Sequence, residues 1–162
     1  MGKQATCQAG VYIGSGERAC KGGQVNAMNL EIKILSDSAE LTRVRQEAEA
    51  FAIQAGLDEP GAGRVVLAVD EALTNIIRHA YAGRADGPIE ISMRVSGLEL
   101  SIVIRDYGQV VHPAAIRSRD LDDVRPGGLG VHIMHECMDK VTYAPADQGG
   151  GTVLTMSKLF EK

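Results

Sequence analysis

The chain has 162 residues, 44% hydrophobic and 23% charged, long enough for one domain with its own core and too apolar for wholesale disorder. Its 17 Lys and Arg against 21 Asp and Glu leave a net charge of −4, which argues against a broad basic face and against direct nucleic-acid binding. Three cysteines without a CxxC pair or a zinc-ligand spacing, and no apolar run of the roughly 18 residues that a membrane span needs, point to a reduced, cytoplasmic chain with neither metal cage nor membrane segment.

Residues 1–27 carry six glycines and few strongly apolar side chains. That composition predicts a flexible N-terminal tail, with Met28 as a natural start and one folded domain over residues 28–162. Leu30, Ile32 and Ile34 alternate, which predicts a strand over 29–35. Ser36-Asp37-Ser38 offers a helix cap. Leu41, Val44, Ala48, Phe51, Ala52 and Ala55 then keep helical spacing until Gly56. Asp58-Glu59-Pro60 opens a second helix with Val66, Val69, Leu73, Ile76, Ile77 and Ala80 as its apolar positions, ending by Gly83. Ile89–Val95 and Leu98–Ile104 alternate on either side of Ser96-Gly97 and predict a β-hairpin. The polar stretch 107–128 is too long for an idle connection and reads as a lid or binding loop. A glycine-rich helix over 127–138 follows, then strands over 141–143 and 152–159. Helices and strands are segregated. The predicted class is therefore α+β, a two-layer sandwich with helices on one face of a mixed, mainly antiparallel sheet.

Four groups of residues could carry chemistry. Glu71, Asn75 and His79 lie at i, i+4 and i+8 and form a polar stripe on the second helix. Periodicity alone favours a solvated face for such a stripe, but a carboxylate one turn before an amide can also reach a common metal or water. Asp106 ends an apolar strand and precedes Gly108, where a ligand could meet a carboxylate; a turn residue is the plain alternative. Gly127, Gly128 and Gly130 open a helix, and their N–H groups could approach an anion without obstruction, or serve only as a hinge. Gly149-Gly150-Gly151-Thr152 by itself reads as a turn. His79 at a helix end is expected to pack or cap rather than to react.

The strings Glu71-Ala-Leu-Thr-Asn75-Ile-Ile-Arg78-His79-Ala-Tyr81, Asp106-Tyr-Gly108, Gly127-Gly-Leu-Gly130, Met138-Asp139 and Gly151-Thr152 together resemble the nucleotide-binding fold shared by gyrase, histidine kinases and MutL, the Bergerat or histidine-kinase-like ATPase type. Within it the chain from Met28 onward is similar to the anti-sigma-factor serine/threonine kinases. The resemblance implies that ATP and Mg²⁺ are bound. Asn75 would hold Mg²⁺, Glu71 would act as general base, and Arg78 would lie near the phosphates. Asp106 would accept a hydrogen bond from the adenine amino group, Gly108 would let the base lie close, and Thr152 would support the base site. Gly127, Gly128, Leu129 and Gly130 would line the phosphates, and residues 109–126 would form the ATP lid. Arg43, on the first helix, would touch protein partners.

One departure stands out. The family pattern Asp-x-Gly-x-Gly is here Asp106-Tyr-Gly108-Gln109-Val110, without the second glycine, which bears on lid geometry and nucleotide affinity. The implied function is an ATP- and Mg²⁺-dependent serine/threonine protein kinase that holds a sigma factor inactive and phosphorylates an anti-anti-sigma (STAS-type) protein. A homodimer is the expected assembly. The alternative is a regulatory module that binds ATP and switches partners without phosphoryl transfer. An ATP hydrolase or histidine phosphotransfer domain is a third reading, disfavoured by the absence of a phosphoacceptor-histidine helix pair.

Overall fold

The computed structural model describes residues 28–110 and 129–160. The expected tail over 1–27, all but the first two residues of the expected lid over 109–126, and the first two glycines of the Gly127–Gly130 run lie outside the described residues.

Strand β1 spans Asn29–Leu35 and alternates exposed and buried along its length, as the two-residue period demands. A short 3-10 turn, Ser38–Glu40, follows, capped by Asp37, whose side chain accepts from the Ala39 N–H. It leads into α1, Leu41–Gln54, which buries Leu41, Val44, Ala48, Phe51 and Ala52. Gly56, at φ +104°, ends this helix. Helix α2 spans Glu59–Asn75. Asp58 caps it by accepting from the Gly61 N–H, and Pro60 sits in its first turn. Its buried face uses Val65, Ala68, Val69, Ala72 and Leu73. Val65 therefore takes the core place that the periodicity assigns to Val66, which is only partly buried.

Ile76–Ala80 continues α2 as one π turn. The wider turn breaks the polar stripe expected on this helix. Glu71 and Asn75 keep their i, i+4 relation in regular α-helix, whereas His79 falls in the π turn and is exposed. Of the two expected places for His79, packing or capping, its exposure excludes packing.

Strands β2, Pro88–Ser96, and β3, Glu99–Asp106, form the predicted hairpin. Ser96 pairs with Glu99, so the turn residues are Gly97-Leu98 rather than Ser96-Gly97. The φ of +63° at Gly97 explains the shift, because a two-residue turn wants its positive φ at the first central position. Helix α3, Leu129–Cys137, buries Met134 and Cys137. Strands β4, Lys140–Pro145, and β5, Thr152–Leu159, close the sheet.

The sheet order is β1-β2-β3-β5-β4. Among the described residues all four pairings are antiparallel, so the sheet is antiparallel there rather than mixed. One core joins Ile32, Ile89, Ile91, Met93, Leu100, Ile102, Ile104, Leu154 and Met156 of the sheet to the buried faces of the three helices. Asp106 continues the alternation of Leu100, Ile102 and Ile104. Its carboxylate is therefore turned toward the helix layer at one end of β3, and only 2% of the residue is exposed. No helix among the described residues is long and apolar enough to cross a membrane.

Candidate functional site

Helix α2 and its π turn carry one half of the site. Glu71 and Asn75 lie one turn apart and converge on the first turn of α3. A β-carbon placed on Gly130 would sit 2.5 Å from Glu71 Oε2 and 3.2 Å from Asn75 Nδ2. Glycine is what allows the α3 backbone to approach both groups, and a carboxylate and an amide are left facing an open N-terminal turn whose N–H groups favour negative charge. Leu129, the first residue of α3, is 60% exposed.

The π turn carries the chain from Asn75 to the second half. The Ala80 carbonyl accepts from the Gln109 N–H at 3.0 Å. Gly108 lies so close to that carbonyl that any side chain would overlap it. The Asp106 carboxylate accepts from the Gly108 N–H at 2.9 Å and from the backbone N–H of Thr152. Burial raises the Asp106 pKa above the ordinary carboxylate value, and the two backbone donors pull against that shift without reversing it. A buried carboxylate oriented by two N–H groups, with lone pairs to spare, is a built acceptor for a ligand's N–H donor.

Thr152 is buried at the start of β5. Three successive glycines at positive φ, Gly149, Gly150 and Gly151, deliver the chain to it. Gly151 is backed onto the Asp106 carbonyl, with no room for a methyl group. The run that reads as a bare turn in the sequence is thus the seat of the Asp106–Tyr107 backbone.

Arg78 stands apart from these contacts. It lines a surface groove of about 520 Å³ with Ser38, Leu41, Thr74, Ile77, Ala82 and Gly83, between the start of α1 and the end of α2. Arg43 is farther along α1. Its guanidinium is held by Glu40 at 2.8 Å and Glu47 at 3.0 Å and reaches the Lys33 carbonyl. The structure therefore gathers Glu71, Asn75 and Gly130 in one cluster and Asp106, Gly108 and Thr152 in another, joined through Ala80. Val110, at the place of the missing second glycine, is 45% exposed, so its side chain does not crowd the Asp106–Gly108 turn.

Sequence reasoning gives Ser36 only a place in a helix cap, which Asp37 fills, and Tyr81 only a place in a motif, yet both tie the site to the sheet. The Tyr81 hydroxyl touches the Pro88 carbonyl and the Tyr107 N–H. Ser36, 1% exposed, donates to the Arg84 carbonyl at 2.5 Å and accepts from the Gly87 N–H at 2.9 Å. An aromatic residue just past a helix and a serine just past a strand carry no signal of such long-range partners. On the outer face of the sheet, Arg105 lies over the Tyr107 ring at 4.5 Å, and the Tyr107 hydroxyl reaches Glu90, which pairs with Lys33.

Among the described residues no three His, Cys, Asp or Glu side chains gather as a metal cage. The Glu71–Asn75 pair fits the other common way of holding Mg²⁺, in which one or two protein oxygens are supplemented by the phosphates of a nucleotide.

Comparison with known proteins places the fold in a family. Similar proteins include an anti-sigma F factor of Anoxybacillus flavithermus, 31% identical, the match covering 83% of this chain and 97% of that protein. A serine/threonine-protein kinase, BtrW, of Bordetella bronchiseptica is 34% identical over 56% of this chain and 67% of its own. A serine-protein kinase, RsbW, of Halalkalibacterium halodurans is 27% identical over 82% and 84%. The crystal structure of the RsbU and RsbW domains of a Mycobacterium tuberculosis protein superposes with a TM-score of 0.61 at 17% identity, covering 83% of this chain; this chain spans only 33% of that one, and the likeness speaks for the fold alone. Residues 34–158 match the model of the histidine kinase-like ATPase domain, and the chain belongs to that family.

Proposed function

We propose that this chain is an ATP-dependent serine/threonine protein kinase that also restrains a sigma factor, and that its phosphate acceptor is a Ser or Thr of a small anti-anti-sigma protein. The observation that carries the reading is the meeting of Glu71 and Asn75 at Gly130. A kinase needs both a base and a metal-holding group at the phosphate end of its site. A module that used ATP only as a structural ligand has no need for the base. The relatives, two protein kinases and an anti-sigma factor, support the same reading.

In this reading Asp106 accepts a hydrogen bond from the adenine amino group, which selects adenine over guanine because guanine presents a carbonyl there. Gly108, packed against the Ala80 carbonyl, lets the base lie close to the Asp106 turn. Asn75 holds Mg²⁺ through its amide oxygen, and Gly130, with Gly127 and Gly128 before it, lines the phosphates. When bound, Mg²⁺ neutralises charge on the phosphates. Glu71 orients the acceptor hydroxyl and takes its proton. Arg78, beside the groove on the α1 side, lies within one helical turn of Asn75 and supplies positive charge near the phosphates. Arg43 contacts a protein partner from its fixed position between Glu40 and Glu47.

The test is transfer of labelled γ-phosphate from ATP to a STAS-type protein. Transfer to Ser or Thr that is lost in Glu71→Gln, while nucleotide binding is kept, supports the kinase. Tight ATP binding with no transfer to any such protein supports the partner-switching module instead.

A further inference from the structure

We infer that Tyr81 is a positioning residue for nucleotide recognition: its hydroxyl clamps the Asp106–Tyr107 peptide and so aims the Asp106 carboxylate. The inference rests on the reading of Asp106 as the residue that recognises the base.

Tyr81 lies where the π turn of α2 ends, and it is 5% exposed. Its ring is packed flat against Gly87, so closely that a β-carbon on Gly87 would fall inside it. The hydroxyl has two partners, the Pro88 carbonyl at 2.5 Å and the Tyr107 N–H at 2.8 Å. Their chemistry fixes the direction of both bonds. A carbonyl can only accept, so the single hydroxyl proton goes to Pro88; an N–H can only donate, so an oxygen lone pair takes Tyr107. Burial raises the Tyr81 pKa above its ordinary value, which keeps that proton in place.

The Tyr107 N–H and the Asp106 carbonyl belong to one planar peptide group. Tyr81 holds the N–H edge of that plane. Gly151 is pressed against the carbonyl edge. With both edges held, the backbone torsions that aim the Asp106 side chain have little freedom. The Gly108 N–H, one residue on, then meets the carboxylate itself. The clamp also runs from α2 to the first residue of β2, so the helix that carries Glu71 and Asn75 and the strand end that carries Asp106 are referenced to one hydroxyl.

The test compares wild type with Tyr81→Phe, which keeps the ring and removes both hydrogen bonds. ADP and GDP affinities are measured by calorimetry, and amide exchange is followed residue by residue. The expected result is a loss of ADP affinity of about three- to ten-fold with a smaller change for GDP, so that discrimination between the bases falls. The Tyr107 amide exchanges at least about tenfold faster in the variant, while the Ile102 and Ile104 amides keep their protection. A purely structural role would weaken both nucleotides equally and leave discrimination intact. A folded variant with unchanged ADP-to-GDP selectivity or unchanged Tyr107 exchange overturns the inference. Should the variant not fold, the wild type decides: a Tyr107 amide that exchanges as fast as that of Leu98 in the hairpin turn overturns it. Failure of wild type to bind ADP at all would instead contradict the underlying reading of Asp106.

Discussion

Replacing Gly130 with alanine adds one methyl group at the point where Glu71 and Asn75 meet. The new β-carbon would lie 2.5 Å from Glu71 Oε2, against the 3.4 Å at which ordinary contact begins, so the carboxylate oxygen must retreat by about 0.9 Å. The Asn75 amide, at 3.2 Å, has to give only about 0.2 Å. Both atoms end flexible side chains, so relief costs the fold little. Alanine in place of glycine in a helix adds up to about 1 kcal/mol of stability. Displacing a catalytic group by nearly 1 Å, in contrast, costs on the order of 100-fold in rate, or about 2.7 kcal/mol of barrier. Gly130→Ala is therefore expected to unfold in urea at the wild-type concentration or slightly above it, and to transfer phosphate about 100-fold more slowly in a single turnover at saturating ATP. A stable variant that transfers phosphate at the wild-type rate would refute the placement of Glu71 as the base.

Asp106→Asn replaces a carboxylate acceptor with an amide and should weaken ATP binding about 10- to 100-fold, the worth of a hydrogen bond to a charged group. It should also change the pH profile of stability. Burial raises the folded pKa of Asp106, so its contribution to stability is complete below the ordinary value of about 3.9 and is lost as pH rises through the folded value. Urea midpoints measured from about pH 3.5 to 7 should shift in favour of the variant as pH increases; a difference that stays constant with pH contradicts the burial argument. Ser36→Ala strands the Arg84 carbonyl and the Gly87 N–H, and chemical denaturation should show a loss of about 2 kcal/mol. Arg43→Ala removes two partly exposed ion pairs, so stability should fall by less than about 1 kcal/mol, while affinity for a sigma factor or STAS-type partner, read by surface plasmon resonance, should drop and ATP affinity should not.

Much of this architecture is legible in the residues because the physics behind it is local. Leu30, Ile32 and Ile34 alternate because one face of β1 meets the core. Asp58 and Pro60 mark the start of α2 because a cap and a first-turn proline answer local backbone needs. Even the burial of Asp106 follows from its parity with Leu100, Ile102 and Ile104. What is not legible depends on partners far away in the chain. The insertion of β5 between β3 and β4 follows from how the sheet closes, which no period reveals. The π turn at Ile76–Ala80 differs from an α turn by less than a residue, too little to disturb an apolar pattern over five positions.

The candidate site divides in the same way. Glu71 and Asn75 are visible as an i, i+4 pair because both lie on regular α-helix. His79 is not placed correctly by the same rule, since the π turn intervenes. Gly130 reads as part of an anion-binding glycine run or a hinge at the start of α3; its tight approach to Glu71 emerges only when α2 and α3 pack together. Gly151 likewise reads as a turn residue, although its lack of a side chain lets β5 seat against Asp106.

The central claim is a nucleotide site with Asp106 at the base and Asn75 at the metal-bound phosphates. Calorimetric titration of ATP, with and without Mg²⁺, into wild type and Asn75→Ala tests it most directly. The account predicts Mg²⁺-dependent binding in the wild type and weaker, Mg²⁺-independent binding in the variant. Wild type that binds no ATP under either condition, or a variant whose Mg²⁺ dependence is undiminished, would contradict it.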